Sequence, residues 1–127
     1  MPVRGATVQR EGGAAAPCGT RFQYDPSWAR RLPAAFPLPA GVKLIEAAGD
    51  DRPQCRQRAV TYTTPAAPER VIGWYRTRAA GAGFSAEELA QNGDRVLGGT
   101  KGDAAYYLIV TPQPQGSQVA LIANEGR

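Results

Sequence analysis

The chain of 127 residues contains no histidine, the side chain that most often serves as a general base or as a metal ligand. Serine and threonine are present, but only two lysines, Lys43 and Lys101, could replace histidine in activating them. The acidic pairs Asp50-Asp51 and Glu87-Glu88 fall in a predicted turn and on a predicted sheet edge, where solvated carboxylates are the rule. We therefore expect no enzymatic activity, no catalytic residues, no cofactor and no metal site.

Cysteine is almost as scarce, with only Cys18 and Cys55 in the whole chain. The two lie too far apart for a redox Cys-x-x-Cys pair, and a structural zinc site needs four ligands. The sequence predicts one disulfide between them, which ties the N-terminal segment to the start of the folded domain; two buried, reduced thiols are the alternative. A disulfide indicates a periplasmic or extracellular location. Residues 1–13 lack the apolar core of a signal peptide, so we expect a mature form without its export signal.

Long apolar runs are also missing, and the longest candidate, Ala104 to Val110, has the length of a strand. We therefore expect no transmembrane segment, because a membrane span needs ~20 apolar residues. The net charge is +4, from thirteen arginines and two lysines against eleven acidic residues. Because the arginines are spread along the chain and interrupted by acidic residues, we expect no specific binding of nucleic acid.

The distribution of proline and glycine divides the chain into two parts. Residues 1–20 are rich in Gly, Ala and Arg without periodicity, and we expect a flexible tail there. Residues 21–127 are predicted to form a single domain. Its first twenty residues, 21–40, combine four prolines with large apolar side chains, which predicts an extended segment wrapped around the domain, with one helical turn from Ser27 to Arg31.

Two strands and one helix follow. Val42–Ala47 and Cys55–Thr63 are predicted strands, joined through a turn at Gly49-Asp50-Asp51. Thr64 is the predicted N-cap of a helix with Pro65 in its first turn. This helix is predicted to end at Gly81 or Gly83 and carries one apolar stripe, with Trp74 at its edge. The residues of the stripe are Val71, Ile72, Tyr75 and Ala79.

The segment 85–91 has two readings. Ser85 to Glu88 form a capping box, which favours a short helix, whereas Asn92-Gly93 is a strong hairpin signal. We predict the hairpin, with strands at 84–91 and 94–100, followed by strands at 104–111 and 117–123. The predicted fold is a two-layer α+β sandwich in which one main helix packs on a mostly antiparallel sheet in the order β-β-α-β-β-β-β.

The strand Tyr106 to Val110 is apolar at consecutive positions, so both of its faces need an explanation. The helix stripe is expected to cover one face of the sheet. We expect the segment 21–40 to cover the other, burying Trp28 and Phe36; cover by a partner or by a ligand is the alternative. Arg56 and Arg58 fall on one side of their strand, where they could clamp an anion or guard a sheet edge.

From Ala59 to Ala123 the chain resembles small, mostly uncharacterised bacterial envelope proteins and lipoproteins. The resemblance rests on a Thr-rich strand, the sequence Trp74-Tyr75-Arg76, the pair Gly83-Phe84 and a final strand at 118–121. It implies an exported α+β domain without a known activity, and it implies no catalytic residues.

These observations lead to two hypotheses on function. The first is a non-enzymatic, exported envelope module that binds another protein or envelope component. The alternative is a small-ligand carrier with a pocket between the sheet and the Pro-rich segment. The oligomeric state is left open. The candidate binding residues are Trp28, Phe36, Arg56, Arg58 and Trp74.

Overall fold

A computed structural model describes residues 22–53 and 55–125 of the chain. Within these residues, seven strands form one antiparallel sheet in the order β1-β2-β3-β7-β6-β5-β4. A 3-10 helix, Pro26–Arg31, lies between β1 and β2, and one α-helix, α1, follows β3. The elements are β1 (Gln23–Tyr24), β2 (Lys43–Arg52), β3 (Cys55–Thr64), α1 (Pro68–Gly81), β4 (Glu87–Gln91), β5 (Asp94–Lys101), β6 (Ala104–Gln113) and β7 (Gly116–Asn124).

The predicted two-layer α+β sandwich with the order β-β-α-β-β-β-β is wrong. The described chain is mostly one broad antiparallel sheet with a single α-helix, and that helix comes after the third strand. The additional strand, β1, is only two residues long and precedes Pro26 closely. Its pairing with Gly49 and Ala48 of β2 is a long-range contact, which local patterns do not reveal.

The turn predicted at Gly49-Asp50-Asp51 is also wrong, since β2 continues to Arg52. Asp50 lies opposite Gln57 and Asp51 opposite Arg56, so both acids belong to the ladder between β2 and β3. Asp50 is buried, and its carboxylate accepts hydrogen bonds from the Arg52 guanidinium at 2.8 and 2.7 Å. The charged hydrogen bonds from Arg52 thus offset the cost of burying the Asp50 carboxylate in a strand, although aspartate is more common in turns.

The helix buries the residues that the sequence predicted, but it begins at a different residue. Val71, Ile72, Tyr75 and Ala79 are its buried residues, as predicted. Thr64, however, ends β3, and the helix begins at Pro68 with Ala67 as an N-cap that has no side-chain hydrogen bond. Proline in the first turn is tolerated because the first N–H groups have no partner within the helix. Two prolines fit this role, and the chain uses the second.

The predicted hairpin after the helix is confirmed. Glu87–Gln91 and Asp94–Lys101 pair with each other from Glu87/Gly98 to Gln91/Asp94. Asn92 and Gly93 connect them with φ angles of +53° and +88°. Positive φ at both turn positions is the type I′ geometry, which asparagine and glycine adopt with little strain.

One face of the sheet, which we call the covered face, carries the core. It is formed by alternate residues of the central strands, among them Val60, Tyr62, Leu108, Val119 and Leu121, all buried. Helix α1 contacts β5, β6 and β7, whereas the 3-10 helix contacts β2 and β3. The two helices thus share one face of the sheet rather than lying on opposite faces.

The Pro-rich segment therefore covers the same face as α1, and the prediction that it covers the second face is wrong. Phe36 stacks on Tyr106 with ring centroids 4.4 Å apart, and Tyr106 belongs to the covered face. Trp28 lies so close to Gly49 that a Cβ at this glycine would meet the Trp28 ring at 2.1 Å. A helix of 14 residues is too narrow for a seven-stranded sheet, and the segment covers the remainder.

A buried pair of tyrosines joins the sheet, the helix and the Pro-rich segment. The hydroxyl groups of Tyr62 on β3 and Tyr75 on α1 are 2.7 Å apart, and Tyr75 also donates to the carbonyl oxygen of Pro37 at 3.2 Å. With Tyr75 donating to Pro37, Tyr62 donates to Tyr75. Burial raises the pKa of Tyr62 to about 12, and burial together with the neighbouring Tyr62 phenol raises the pKa of Tyr75 further.

Candidate functional site

The aromatic candidates from the sequence lie mainly in the core. Phe36 is 1% exposed and is surrounded by the rings of Phe84 and Tyr106. Trp28 is buried beneath two guanidinium groups, with the Cζ atoms of Arg31 and Arg58 at 4.5 and 5.1 Å from its ring centroid. Trp74 is only partly buried, and Arg78 lies 4.5 Å from its ring. These rings hold the covering segment and the helix in place, so we locate the candidate surfaces elsewhere.

The two arginine candidates occupy the same side of β3, as predicted, and both are engaged with protein groups. Arg58 is buried, and its Nε donates to the carbonyl oxygen of Arg31 at 3.0 Å. Arg56 is half-exposed and lies 3.7 Å from an Asp51 carboxylate oxygen and 3.8 Å from one of Glu125. Asp51 also lies 3.6 Å from Arg58. Arg58 therefore joins β3 to the 3-10 helix, while Arg56 remains at the surface.

The predicted disulfide remains a prediction because Cys18 lies outside the described residues. Cys55 is buried, and it pairs in register with Arg52 at the turn between β2 and β3. Because β1 is antiparallel to β2, with Gln23 opposite Gly49, the start of β1 points toward this turn. Gly49 and Arg52 are three residues apart, roughly 10 Å, and the five residues from 18 to 23 can span roughly 16 Å. The described geometry is thus compatible with the pairing.

The second face of the sheet, which we call the open face, carries side chains in a regular pattern. Strand register brings together a row that crosses from β1 to β6 through the pairs Tyr24/Ala48, Ala48/Ala59, Ala59/Ile122 and Ile122/Tyr107. A second row crosses from β7 to β4 through Ala120/Ile109, Ile109/Val96 and Val96/Leu89. Together the two rows form one band across the sheet, which we call the apolar stripe. Its residues are Tyr24, Ala48, Ala59, Ile122, Tyr107, Ala120, Ile109, Val96 and Leu89.

Several large members of the apolar stripe are exposed. Tyr24 is 66% exposed, Leu89 54%, Tyr107 43% and Ile122 39%. Gly98, opposite Tyr107, gives that ring room to lie against the strand, because a Cβ there would meet Tyr107 Cδ1 at 3.3 Å. Single exposed apolar residues are ordinary, whereas a contiguous group marks an interaction surface.

Polar side chains border the apolar stripe on both sides. One border is the register row through Asp50, Gln57, Asn124, Ala105 and Thr100, in which only Ala105 is apolar. The other is the row through Thr63, Gln118 and Thr111. An apolar centre with a polar rim is the usual anatomy of a protein–protein interface.

The sequence contained one signal for this surface. The consecutive apolar residues from Tyr106 to Val110 indicated that Tyr107 and Ile109 lie on the second face of β6, and the register agrees; that something covers this face stays a prediction, because Tyr107 is 43% exposed. The error lay in assigning their cover to the Pro-rich segment. Leu89 and Ile122 gave no such signal, because single apolar residues at these positions fit any half-buried strand.

A cavity of about 500 Å³ lies at one end of the covered face, between the Pro-rich segment and the sheet. Two aromatic rings, Phe36 and Phe84, form part of its wall, and the segment from Leu32 to Ala35 forms another part. On the strand side it is lined by Ala104 and Ala123, whose small side chains leave the space unfilled. Its volume is in the range of small-molecule sites.

Charged groups stand at the rim of this cavity. Lys101 lines it, and its ammonium donates to the carbonyl oxygen of Ala82 at 2.6 Å and lies 5.9 Å from the Phe84 ring centroid. Glu125 lines it as well, next to Arg56. An ammonium group has three donors, so Lys101 keeps donors beyond the one given to Ala82.

Within residues 22–53 and 55–125, no three acidic or cysteine side chains come together in a way that could hold a metal ion.

No helix in the described part of the chain is long and apolar enough to cross a membrane.

No protein-family model, no curated protein and no solved structure matches this chain.

Proposed function

We propose that the chain is a non-enzymatic, exported module that binds another protein through the open face of its sheet. The single observation that carries this proposal is the apolar stripe, in which Tyr107 and Ile122 are exposed opposite each other and Leu89 is exposed in the neighbouring row. Water contact with such a group is unfavourable, and a partner that covers it gains ~25 cal/mol for each Å² of apolar surface buried.

The size of this face fits a protein partner better than a small ligand. With ~4.8 Å between strands and ~6.8 Å between alternate residues, the stripe and its polar borders cover roughly 600–900 Å². A typical stable complex buries ~800 Å² on each partner. We therefore expect a partner with a flat, mainly apolar and uncharged contact surface, since charged groups would lose their hydration against the stripe.

The absence of histidine and the engagement of Arg58 in packing support a binding role over a catalytic one. Support for export comes from Cys55, whose position at the start of β3 is compatible with the Cys18 pairing. Disulfides persist in oxidising compartments and are rare in the cytosol.

Photo-crosslinking from the apolar stripe tests the proposal. Tyr107 is replaced with benzoyl-phenylalanine, which keeps an aromatic group at that position, and Arg70, exposed on α1, receives the same replacement as a control. We expect irradiation of cells to join the protein to one discrete protein from position 107 and not from position 70. The captured protein is then purified, and its affinity is measured directly.

The direct measurement decides the outcome. Tyr107→Glu should weaken binding of the purified partner at least tenfold because it places a charge in the centre of the apolar contact, whereas Arg70→Glu should leave the affinity unchanged. A cross-link to a second copy of the chain, or to residues 1–21 of the same chain, would contradict a separate partner. Equal affinities for both variants would show that the captured protein does not use the open face.

A further inference from the structure

The cavity between the Pro-rich segment and the sheet is a second site, on the face opposite the apolar stripe. We propose that it binds a small anionic amphiphile, an alkyl carboxylate with the carboxylate at Lys101 and the alkyl chain in the cavity. This inference does not depend on the proposed protein partner, because no residue of the apolar stripe lines the cavity.

The interior of the cavity favours an apolar ligand. Nine of its twelve lining residues are apolar, and the charged side chains that line it are Lys101 and Glu125. Phe36 is fixed by its contacts with Phe84 and Tyr106, at 5.1 and 4.4 Å between ring centroids. The aromatic wall is therefore formed in advance, and binding requires little ordering of side chains.

The size of the space follows from the alanines at its floor. Ala104 and Ala123 stand where neighbouring core positions of the same strands carry Leu108 and Leu121. A cavity in a well-packed protein lacks the dispersion contacts that its lining would otherwise make. A flexible alkyl chain can supply these contacts in an irregular space.

The charged side chains near the rim of the cavity determine which ligand charge is favoured. The Lys101 ammonium stands beside Phe84 at the entrance and has donors left for a carboxylate. The carboxylate of Glu125 is offset by the guanidinium of Arg56, 3.8 Å away, and the second arginine of β3, Arg58, follows two residues later. Asp51 lies 3.7 Å from Arg56 and 3.6 Å from Arg58 and offsets one of them, so these five side chains together carry a net charge of +1, which favours an anion.

Three probes share a ten-carbon chain and differ in charge. Decanoate is negative, decanol is neutral and decyltrimethylammonium is positive. Each is titrated into the 15N-labelled full chain below its micelle concentration, and amide shifts are followed. We expect saturable decanoate binding with a dissociation constant of roughly 10 µM to 1 mM, the range for a ligand of this size. The shifts should concentrate at residues 32–36, 84, 101 and 104, with weaker binding of decanol and none of the cation.

Two variants with one control separate the cavity from other apolar surfaces. Ala104→Leu fills the space and should weaken decanoate at least tenfold. Lys101→Gln should weaken decanoate about fivefold or more and leave decanol unchanged, because it removes only the charge. Ala120→Leu, on the open face, should leave the affinity for decanoate unchanged.

Saturable binding that is lost with Ala104→Leu and reduced with Lys101→Gln supports the site. If Ala104→Leu fails to fold, Lys101→Gln and the map of shifted amides decide alone. The proposal is overturned if decanoate does not bind below 1 mM, if all three probes bind equally, or if Ala120→Leu weakens binding as much as Ala104→Leu. The last result would place the amphiphile on the apolar stripe.

Discussion

The covered and open faces of the sheet are built from the same strands, yet the large apolar side chains of the covered face are buried, whereas on the open face Tyr107 and Ile122 are exposed and Val96 is buried. On β7, Leu121 is fully buried and the next residue, Ile122, is 39% exposed. On β6 the same contrast separates Leu108 from Tyr107. Both faces are apolar at their centres, so the apolar character of a strand residue does not decide whether it is buried. Burial is determined by the helix and the Pro-rich segment, which both lie on the covered face of the sheet.

This comparison also explains how the two candidate sites differ. Side chains from distant parts of the chain fill most of the covered face, and a partly open cavity remains beside the Pro-rich segment, where alanines leave room. The open face is flat and broad. The first geometry suits a small ligand and the second suits a protein surface.

Removal of the Phe36 ring should produce the largest effect on the covered face. Phe36→Ala leaves a cavity beside Phe84 and Tyr106, and we expect the free energy of unfolding to fall by about 3–5 kcal/mol. Denaturant titration measures the change. Tyr24→Ala, which removes an aromatic ring that is 66% exposed on the open face, should cost less than ~1 kcal/mol. An unchanged midpoint for Phe36→Ala would show that this ring does not lie in the core.

Reduction of the predicted Cys18–Cys55 disulfide tests the only expected covalent link near the open face. Closing a loop of this length stabilises the chain by about 4 kcal/mol in the loop-entropy estimate. We expect a reductant, or the Cys18→Ser variant, to lower the thermal midpoint clearly. Mass spectrometry of protein purified without reductant should show a gain of ~2 Da on reduction, because the reductant supplies two electrons and two protons are taken up, one by each thiol. Two free thiols in that preparation would remove the structural argument for export.

Neighbouring residues of β7 provide a direct measurement of the difference between the faces. Leu121→Ala should reduce the free energy of unfolding by about 2–5 kcal/mol, because it opens a cavity in the core. Ile122→Ala should reduce it by ~1 kcal/mol or less, because this side chain already contacts water. Comparable losses in the two variants would mean that the open face is covered in solution, and a concentration-dependent loss for Ile122→Ala would indicate self-association.

The buried tyrosine pair predicts a loss of stability at alkaline pH. An unfolded chain loses tyrosine protons near pH ~10, whereas the folded protein retains the Tyr62 proton to about pH 12 and holds the Tyr75 proton more tightly still. Above pH ~10 the unfolded state therefore binds fewer protons, and stability falls as the pH rises. Below that pH the contribution of both phenols is fully present.

The Tyr62→Phe variant isolates one of these two groups. It should reduce the alkaline slope of the free energy of unfolding between pH 10 and 12, by at most ~1.4 kcal/mol per pH unit. Tyr75 keeps its hydrogen bond to Pro37 in this variant, so folding should be retained. Urea titrations at several pH values measure the slope. The same slope in both proteins would show that Tyr62 is not held in its neutral form by burial.

Local features of the sequence determined several elements of this protein. The Asn92-Gly93 pair specified the hairpin because its two residues tolerate positive φ. The spacing of Val71, Ile72, Tyr75 and Ala79 specified which side of α1 is buried. In both cases the relevant interactions lie within a few residues of one another, so the pattern carries the information by itself.

Contacts between distant residues determined the rest, and the sequence pattern could not show them. Only the tertiary structure decided that Asp50 and Asp51 continue a strand, that β1 pairs with β2, and that Trp28 and Phe36 share a face with α1. An apolar residue gains free energy from any cover, because the hydrophobic effect has no direction. Periodicity therefore identifies the residues that need burial, whereas the path of the chain determines which of them are covered and leaves Tyr107 and Ile122 exposed.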